Sequence, residues 1–332
     1  MAQGKVLITS PIEEKAIRMM HDSSIETIIL SEPPTSEKEL LTYVKDVDGI
    51  LVVRGTEPIT RRVIEKAQKL KIIARGGVGY NNIDVDAATE YGVWVTIAPV
   101  EELFDSVAEY AIGLMLCLAR KICKADIYVK KRLWTSNTHK ALEPLKGFTL
   151  SGKVLGIIGL GNIGSRIFRK ARAFDMKIIY YDIVRKKEFE SEGAEYRPLK
   201  ELLAESDFII LTVPLTKETY KMIGENEINL MKRTAYLINI SRGAVIDHMA
   251  LVKALKEGRI AGAALDVFYE EPLPTDDPLL ELDNVILTPH IAAFTKEARG
   301  KLSITAAEEV IRVLKGEKPR YPINNPQKRD NR

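Results

Sequence analysis

Cysteine is almost missing from the chain: two residues in 332, Cys117 and Cys123, close together in one apolar segment. That is neither a disulfide framework nor a zinc-ligand spacing, so no metal is expected and a reducing, cytoplasmic setting fits. Histidine is nearly as scarce, with four residues, which leaves few candidates for proton transfer near neutral pH. Long apolar runs are also lacking. The run Ala111 to Ala119 falls well short of the ~20 residues a membrane helix needs. Lys5 leads straight into Val6-Leu7-Ile8, with no signal-peptide core expected ahead of it. Nor is one sign of charge in excess: 49 Lys and Arg against 46 Asp and Glu leave a net +3. With no basic stripe beside it, that balance points away from nucleic acid and from membrane surfaces.

What remains is the composition of a soluble globular protein, 45% hydrophobic and 29% charged. At ~100–200 residues per domain the length implies two domains. From Lys5 to Ala98, short β-rich runs start near Lys5, Ile25, Gly49, Lys71 and Val93, spaced by about one strand-helix unit. Ser36 with Glu39 forms a capping-box pattern, and Thr60 is a helix cap before Val63 and Ile64. Ser106 with Glu109 is a second capping box, opening a helix with apolar positions at Ala111, Leu114, Met115, Leu118 and Ile122. Six more apolar runs start near Val154, Lys177, Phe208, Ala235, Gly262 and Val285, enough for a complete doubly wound sheet. From Lys296 to Leu314 the period is helical again. Because the second sheet is already complete, the tail is expected to return to the first domain. The reading is therefore α/β: two Rossmann-like domains with doubly wound parallel sheets, the second inserted in the first. One domain takes about residues 1–100 with 296–332, and the other takes about 101–295.

The run Gly159-Leu160-Gly161-Asn162-Ile163-Gly164 is a G-x-G-x-x-G, preceded by the apolar Val154–Ile158 and followed by a helical pattern. In that context the first glycine permits a tight turn, the second lets a pyrophosphate approach, and the third lets helix and strand pack closely. The helix start offers free N–H groups to phosphate. Asp182 ends the next strand, where a carboxylate can accept from both ribose hydroxyls and repel a 2′-phosphate, favouring NAD over NADP. Arg185, Lys186 and Lys187 lie close enough to soften that preference.

The later strands end in Thr212-Val213-Pro214, in Asn239-Ile240-Ser241-Arg242-Gly243, in Asp266 followed by Glu270-Glu271-Pro272, and in Thr288-Pro289-His290. Ligands of open α/β sheets bind at those carboxyl ends. Hydride transfer at a carbinol carbon needs a group that moves a proton on its oxygen, and histidine does this near neutrality. A carboxylate on the far ring nitrogen fixes the tautomer, and an arginine fork grips a substrate carboxylate. His290 is the preferred histidine. His21 ends a helix pattern, His139 sits among lysines, and His248, which begins a helix, is the serious rival. The acid is Asp266, Glu270 or Glu271; spacing does not choose.

Together these motifs resemble the D-isomer-specific 2-hydroxyacid dehydrogenases, from Arg54 to about Pro322, including Ala263 to Phe268 and Thr288 to Ile291. The resemblance implies catalytic roles for Arg242, Glu271 and His290, with Glu271 chosen because it directly precedes Pro272. It implies cofactor contacts at Gly159, Gly161, Asn162, Ile163, Gly164, Asp182, Val213, Pro214, Ile240, Asp266 and Ser106. Asp266 would hold the carboxamide of the nicotinamide. It makes the first domain the flavodoxin-like, substrate-binding one and the second the NAD-binding one, and it places substrate binding at Arg54, at Gly77, Val78 and Gly79 in the run Arg75 to Tyr80, and at Arg242. Members that use formate carry Gln in the triad, so Glu271 argues against formate. The implied substrate is a small 2-hydroxy or 2-oxo acid of the glyoxylate, hydroxypyruvate or 3-phosphoglycerate type. A homodimer is implied, with Trp134 reaching the partner subunit's site. The family's NAD(H)-sensing corepressors supply the alternative, a binding protein without turnover.

Overall fold

The structure is a computed structural model and describes residues 4–326. The chain's contacts separate two compact units: one runs up to Leu103 and resumes at Phe294, and the other is Phe104–Ala293. These limits differ by a few residues from boundaries at 100 and 296. The first switch falls inside a single helix, Glu101–Arg120, and the second just ahead of the helix cap Thr295.

In the first unit β1 (Gly4–Ile8), β2 (Ile25–Ile29), β3 (Gly49–Val52), β4 (Ile72–Arg75) and β5 (Trp94–Thr96) form one parallel sheet. Their order is β2-β1-β3-β4-β5, the flavodoxin-like doubly wound arrangement. β3 and β4 are buried along their whole length. They show no alternation of polar and apolar residues because helices cover both faces of the sheet. Leu40, Val63, Ile64 and Ala87 cover one face. The other is covered by helices Glu14–Asp22 and Lys296–Leu314, with Ala306, Ala307, Val310 and Val313 against Val6, Ile8, Leu51 and Ala74. Burying one valine side chain contributes roughly 1.5–3 kcal/mol, so the carboxy-terminal helix is part of this core. The chain then adds an antiparallel bridge between Pro322 and Thr96, and Asn324 accepts the Val95 N–H at 2.8 Å.

Local signals mostly act as their chemistry dictates. Thr60 accepts the Val63 N–H, and Ser36 accepts the Glu39 N–H. The Glu39 carboxylate, however, takes the Thr35 N–H, so the return half of that capping box reaches one residue upstream.

The second unit contains β6 (Val154–Ile158), β7 (Lys177–Tyr181), β8 (Glu195–Tyr196), β9 (Phe208–Leu211), β10 (Tyr236–Asn239), β11 (Gly262–Leu265) and β12 (Val285–Leu287). They form one parallel sheet, β12-β11-β10-β9-β6-β7-β8. The expected six strands are thus seven. The additional β8 is two residues long, pairs only with Ile179 and Tyr180 of β7, and carries no apolar run. The order reverses between β6 and β9, the kind of switch point at which open α/β sheets bind their ligands.

Ser106 is corrected as a helix cap. The helix begins at Glu101, with Glu101 and Glu102 in its first turn where acids favour the positive end of the dipole. Ser106 is a buried interior residue. At Lys121 the backbone turns left-handed, φ 57°, and a second helix, Ile122–Lys130, starts with none of its residues buried. Among the described residues no helix is long and apolar enough to cross a membrane.

Candidate active site

The glycine turn is built from the end of β6. Gly159 has φ +95°, and helix Asn162–Arg172 begins at its N-cap Gly161. A Cβ on Gly164 would lie 2.1 Å from the Gly159 carbonyl oxygen, so helix and turn meet with only hydrogen between them. A Cβ on Gly161 would meet nothing within 4 Å, leaving that side of the turn open. The first bond of the helix is Ser165 N–H to Gly161 O, at 2.9 Å. The N–H groups of Asn162, Ile163 and Gly164 therefore precede it, as a phosphate requires. An open glycine surface beside free N–H donors fits a dinucleotide pyrophosphate.

Asp182 follows β7 and is tied to this turn. Its Oδ2 accepts the Leu160 N–H at 2.8 Å and its Oδ1 the Val184 N–H at 3.2 Å. Arg185, which could have drawn a phosphate, is held by Glu190 through two contacts of 3.0 and 2.9 Å. Val213 and Pro214 follow β9, where the Thr212 hydroxyl donates to the carbonyls of Ile158 and Gly159. Ile240 follows β10 and is buried.

The residues predicted to be catalytic come from the next three strand ends. At the end of β10 the Asn239 side chain shapes the turn. Its Oδ1 accepts from the Ser241 N–H and hydroxyl, and its Nδ2 donates to the Arg242 carbonyl at 2.9 Å. Arg242 Nη1 donates to the Ser241 carbonyl at 2.7 Å. A Cβ on Gly243 would overlap the Phe268 backbone at 1.9 Å, so the turn bearing Arg242 lies directly on the loop that follows β11. That loop carries Glu271, whose Oε1 accepts the Phe268 N–H at 3.0 Å and whose Oε2 is 2.6 Å from His290 Nδ1.

Burial alone would raise the Glu271 carboxyl. The bond to His290, the His290 charge, the Phe268 N–H and the Arg242 charge together hold it below the ordinary carboxylate range. Burial lowers the Arg242 pKa, opposed by the Glu271 charge, and a guanidinium stays protonated regardless. Of the three candidate acids, Glu271 is the one hydrogen-bonded to His290.

Asp266 has a role that sequence reasoning missed. Its carboxylate takes the Thr288 hydroxyl at 2.7 Å and the N–H groups of Ile291 and Ala292 at 3.0 and 2.9 Å. These bonds wrap the chain through a left-handed φ of 54° at His290, a conformation that costs roughly 1–3 kcal/mol in a non-glycine residue. Burial pushes the Asp266 carboxyl up, against the three bonds and the His290 charge.

In the first unit the predicted substrate residues lie on two loops bound together by residues the sequence did not flag. The buried Glu57 carboxylate accepts the Thr9 hydroxyl and the N–H groups of Val53, Arg54, Gly55 and Thr56. Arg75 donates to the carbonyls of Val53, Arg54 and Gly79 at 2.9, 3.2 and 3.0 Å. The Gly77 N–H is already committed to the Arg75 carbonyl at 2.8 Å, so Val78 and Gly79 are the donors left to that loop. Arg54 lies 5.8 Å from the centre of the Phe294 ring. Nothing in the local pattern around Glu57 announces a loop anchor.

Glu57 also fixes a pH dependence. Burial would raise its carboxyl, but the Thr9, Arg54 and Glu57 donors and the Arg75 charge hold it below its ordinary value. The folded pKa is thus below the unfolded one. Its stabilisation is complete above the unfolded value of ~4.3 and drains away as pH falls through the folded value. Glu57→Gln should destabilise the protein at pH 7 by about 1–3 kcal/mol for each donor left unsatisfied. In chemical denaturation the gap from wild type should narrow on acidification; a gap independent of pH would rule this account out.

Ser106 lies within its helix, and Trp134 is 56% exposed with its Nε1 donating to Asn137 at 2.8 Å.

A dinucleotide turn at the switch point, with imidazole, carboxylate and guanidinium at the neighbouring strand ends, defines a nicotinamide-dependent oxidoreductase. Residues 112–292 match the family model for the D-isomer specific 2-hydroxyacid dehydrogenase, NAD binding domain. The chain is 45% identical over 321 residues to a glyoxylate reductase of Korarchaeum cryptofilum, with 96% of each chain covered. It is 47% identical over 324 residues to a D-3-phosphoglycerate dehydrogenase of Methanocaldococcus jannaschii, covering 97% of this chain and 60% of that one. Among solved structures it is similar to the D-lactate dehydrogenase from Aquifex aeolicus complexed with NAD and lactic acid. That similarity has a TM-score of 0.83 at 31% identity, covering 97% of this chain and 100% of that one. The chain belongs to the D-isomer-specific 2-hydroxyacid dehydrogenase family. It is an enzyme that interconverts 2-hydroxy and 2-oxo acids with a nicotinamide cofactor, and the corepressor-like alternative is not favoured.

Proposed function

We propose that the enzyme reduces glyoxylate or hydroxypyruvate with NADH. The observation that carries the substrate class is end-to-end similarity to glyoxylate reductase, with 96% of each chain covered, against 60% of the phosphoglycerate dehydrogenase. NAD over NADP rests on Asp182 at the end of β7 and on Glu190, which occupies Arg185. The second unit is the cofactor domain in this reading, and Gly159, Gly161, Asn162, Ile163, Gly164, Asp182, Val213, Pro214, Ile240, Asp266 and Ser106 hold the dinucleotide. When bound, the nicotinamide supplies the hydride.

His290 Nδ1 is taken by Glu271, which leaves Nε2 to give its proton to the substrate oxygen. Glu271 stabilises the imidazolium before transfer, and Arg242 polarises the carbonyl while gripping the carboxylate. The N–H groups of Val78 and Gly79 bind the same carboxylate in the first, substrate-binding unit, with Arg54 as an auxiliary cation. The Gly77 N–H, committed within its own turn, acts through loop shape.

A panel of glyoxylate, hydroxypyruvate, pyruvate and 3-phosphohydroxypyruvate with NADH and NADPH tests the reading. Glyoxylate or hydroxypyruvate with NADH should give the highest kcat/KM, and Asp182→Ala should raise relative use of NADPH. Preference for the phosphorylated acid would replace the substrate assignment. A cofactor ratio unmoved by Asp182→Ala would mean that this carboxylate does not meet the ribose.

The protein assembles as a homodimer in this reading. Helix Ile122–Lys130 buries none of its residues, and Ile122, Ile127, Val129, Leu133 and Trp134 are each at least half exposed. Such an apolar surface is a protein contact, and Trp134 extends from it toward the partner subunit's site. A monomeric sedimentation mass at micromolar concentration would overturn this. The two unpaired thiols suit a reducing cytoplasm.

A further inference from the structure

His248, the histidine that rivalled His290 in the sequence, has no contact with Arg242, Glu271 or His290 among the described residues. It begins helix His248–Lys256 and faces the loop that bears Glu271. Its Nε2 lies 3.0 Å from Asp277 Oδ2, and its ring centre is 4.3 Å from that of Tyr269. Tyr269 and Asp277 stand on opposite sides of Glu271 in the chain, so one imidazole touches both arms of the same loop.

Asp277 explains why this contact matters. The residue is 4% exposed, and its Oδ1 is used to cap the Leu279 N–H at 2.9 Å. Oδ2 has no aligned hydrogen bond among the described residues. The His248 contact is therefore a close polar approach at 3.0 Å rather than a directed bond, and the same carboxylate also meets the Tyr269 phenol. Removing the imidazole leaves a buried carboxylate oxygen with poorer polar company. The Asp277 carboxylate acts on Tyr269 too: after burial, its charge and hydrogen bond push the phenol up, and Glu270 and Asp276 add to this. Asp247, beside His248, is occupied by Lys221 at 3.1 Å and by the Ala250 N–H, so it does not compete for the imidazole.

We propose that His248, with Asp277 and Tyr269, is a positioning clamp that fixes the loop from Phe268 to Asp277 and thereby sets the Glu271 carboxylate against His290. The inference rests on the roles proposed above for Glu271 and His290. Those two groups meet at 2.6 Å, and a shift of even an ångström at such a contact changes proton transfer steeply. The Arg242 turn also packs on Phe268, so the loop meets both that turn and the start of helix His248–Lys256.

The test compares His248→Ala, His248→Gln and Glu271→Gln with wild type. Readouts are kcat and KM for the 2-oxo acid, the pH profile of kcat/KM, and the Kd for NADH by fluorescence. His248→Ala should lower kcat by about tenfold or more, move the acid limb of the profile, and leave the NADH Kd unchanged. His248→Gln, whose amide nitrogen can still donate to Asp277, should recover most of the loss. Should the alanine variant fail to fold, Tyr269→Leu, which strips the ring contact from the exposed side, is expected to show the same fall in kcat. Wild-type kcat and pH profile in the folded variant would overturn the clamp, as would a loss of NADH binding in step with kcat. Glu271→Gln separates the two layers. If it costs nothing, the triad assignment falls; if it is costly while His248→Ala is not, the clamp alone falls.

Discussion

Replacing His290 with asparagine should lower kcat by about 10²–10⁴-fold, the usual worth of a positioned general acid, while the Kd for NADH stays near that of wild type. Asparagine is close in size and can donate to Glu271, so the loop contacts survive. What it lacks is a proton that leaves and returns near neutral pH. Asp266 would still hold the Thr288, Ile291 and Ala292 donors, so the variant isolates chemistry from folding. The glycine turn and Asp182 lie at other strand ends of the same sheet, which is why cofactor affinity should not follow. Steady-state kcat with a fluorescence titration of NADH checks both halves. Turnover like that of wild type would remove His290 from the reaction.

Arg242→Gln should lower kcat/KM by about 10²–10³-fold, the loss seen when a group that stabilises developing charge is removed. Lysine should rescue little, because a point charge does not reproduce the fork that a carboxylate accepts. A second readout follows from electrostatics. The Arg242 charge is one of the influences holding the Glu271 carboxyl down, so its loss lets that carboxyl rise. The acid limb of kcat/KM should therefore move to higher pH in the variant. A variant with reduced kcat/KM and an unmoved limb would mean that Arg242 acts on substrate without acting on Glu271.

Much of this architecture was legible because parallel strands buried on both faces read as short apolar runs, and each of the runs near Val154, Phe208 and Gly262 is a strand. β8 escaped because Glu195-Tyr196 has no such run, and an edge strand of two residues needs none. The helix start at Ser106 misled because Ser106 and Glu109 have capping-box spacing by coincidence, while the first-turn acids lie earlier in the helix at Glu101 and Glu102. Spacing left Asp266, Glu270 and Glu271 open. The hydrogen bond to His290 distinguishes them, and such a bond depends on loop shape rather than on residue order. Glu57, Arg75 and Asn239 work through backbone groups of other residues. Bonds of that kind, whether to neighbours as at Glu57 and Asn239 or across the sheet as from Arg75 to Val53, leave no periodicity in the chain.

The carboxy-terminal helix has a consequence for synthesis. Strands β1 to β5 leave the ribosome first, yet the face made by Val6, Ile8, Leu51 and Ala74 is covered by Ala306, Ala307, Val310 and Val313. Throughout translation of Phe104–Ala293 that face has helix Glu14–Asp22 but waits for its second cover, although the intervening unit carries its own core and can close. That face is thus finished only once Lys296–Leu314 has been made, and a chain stalled before Lys296 presents part of it uncovered to whatever nascent proteins or chaperones lie nearby.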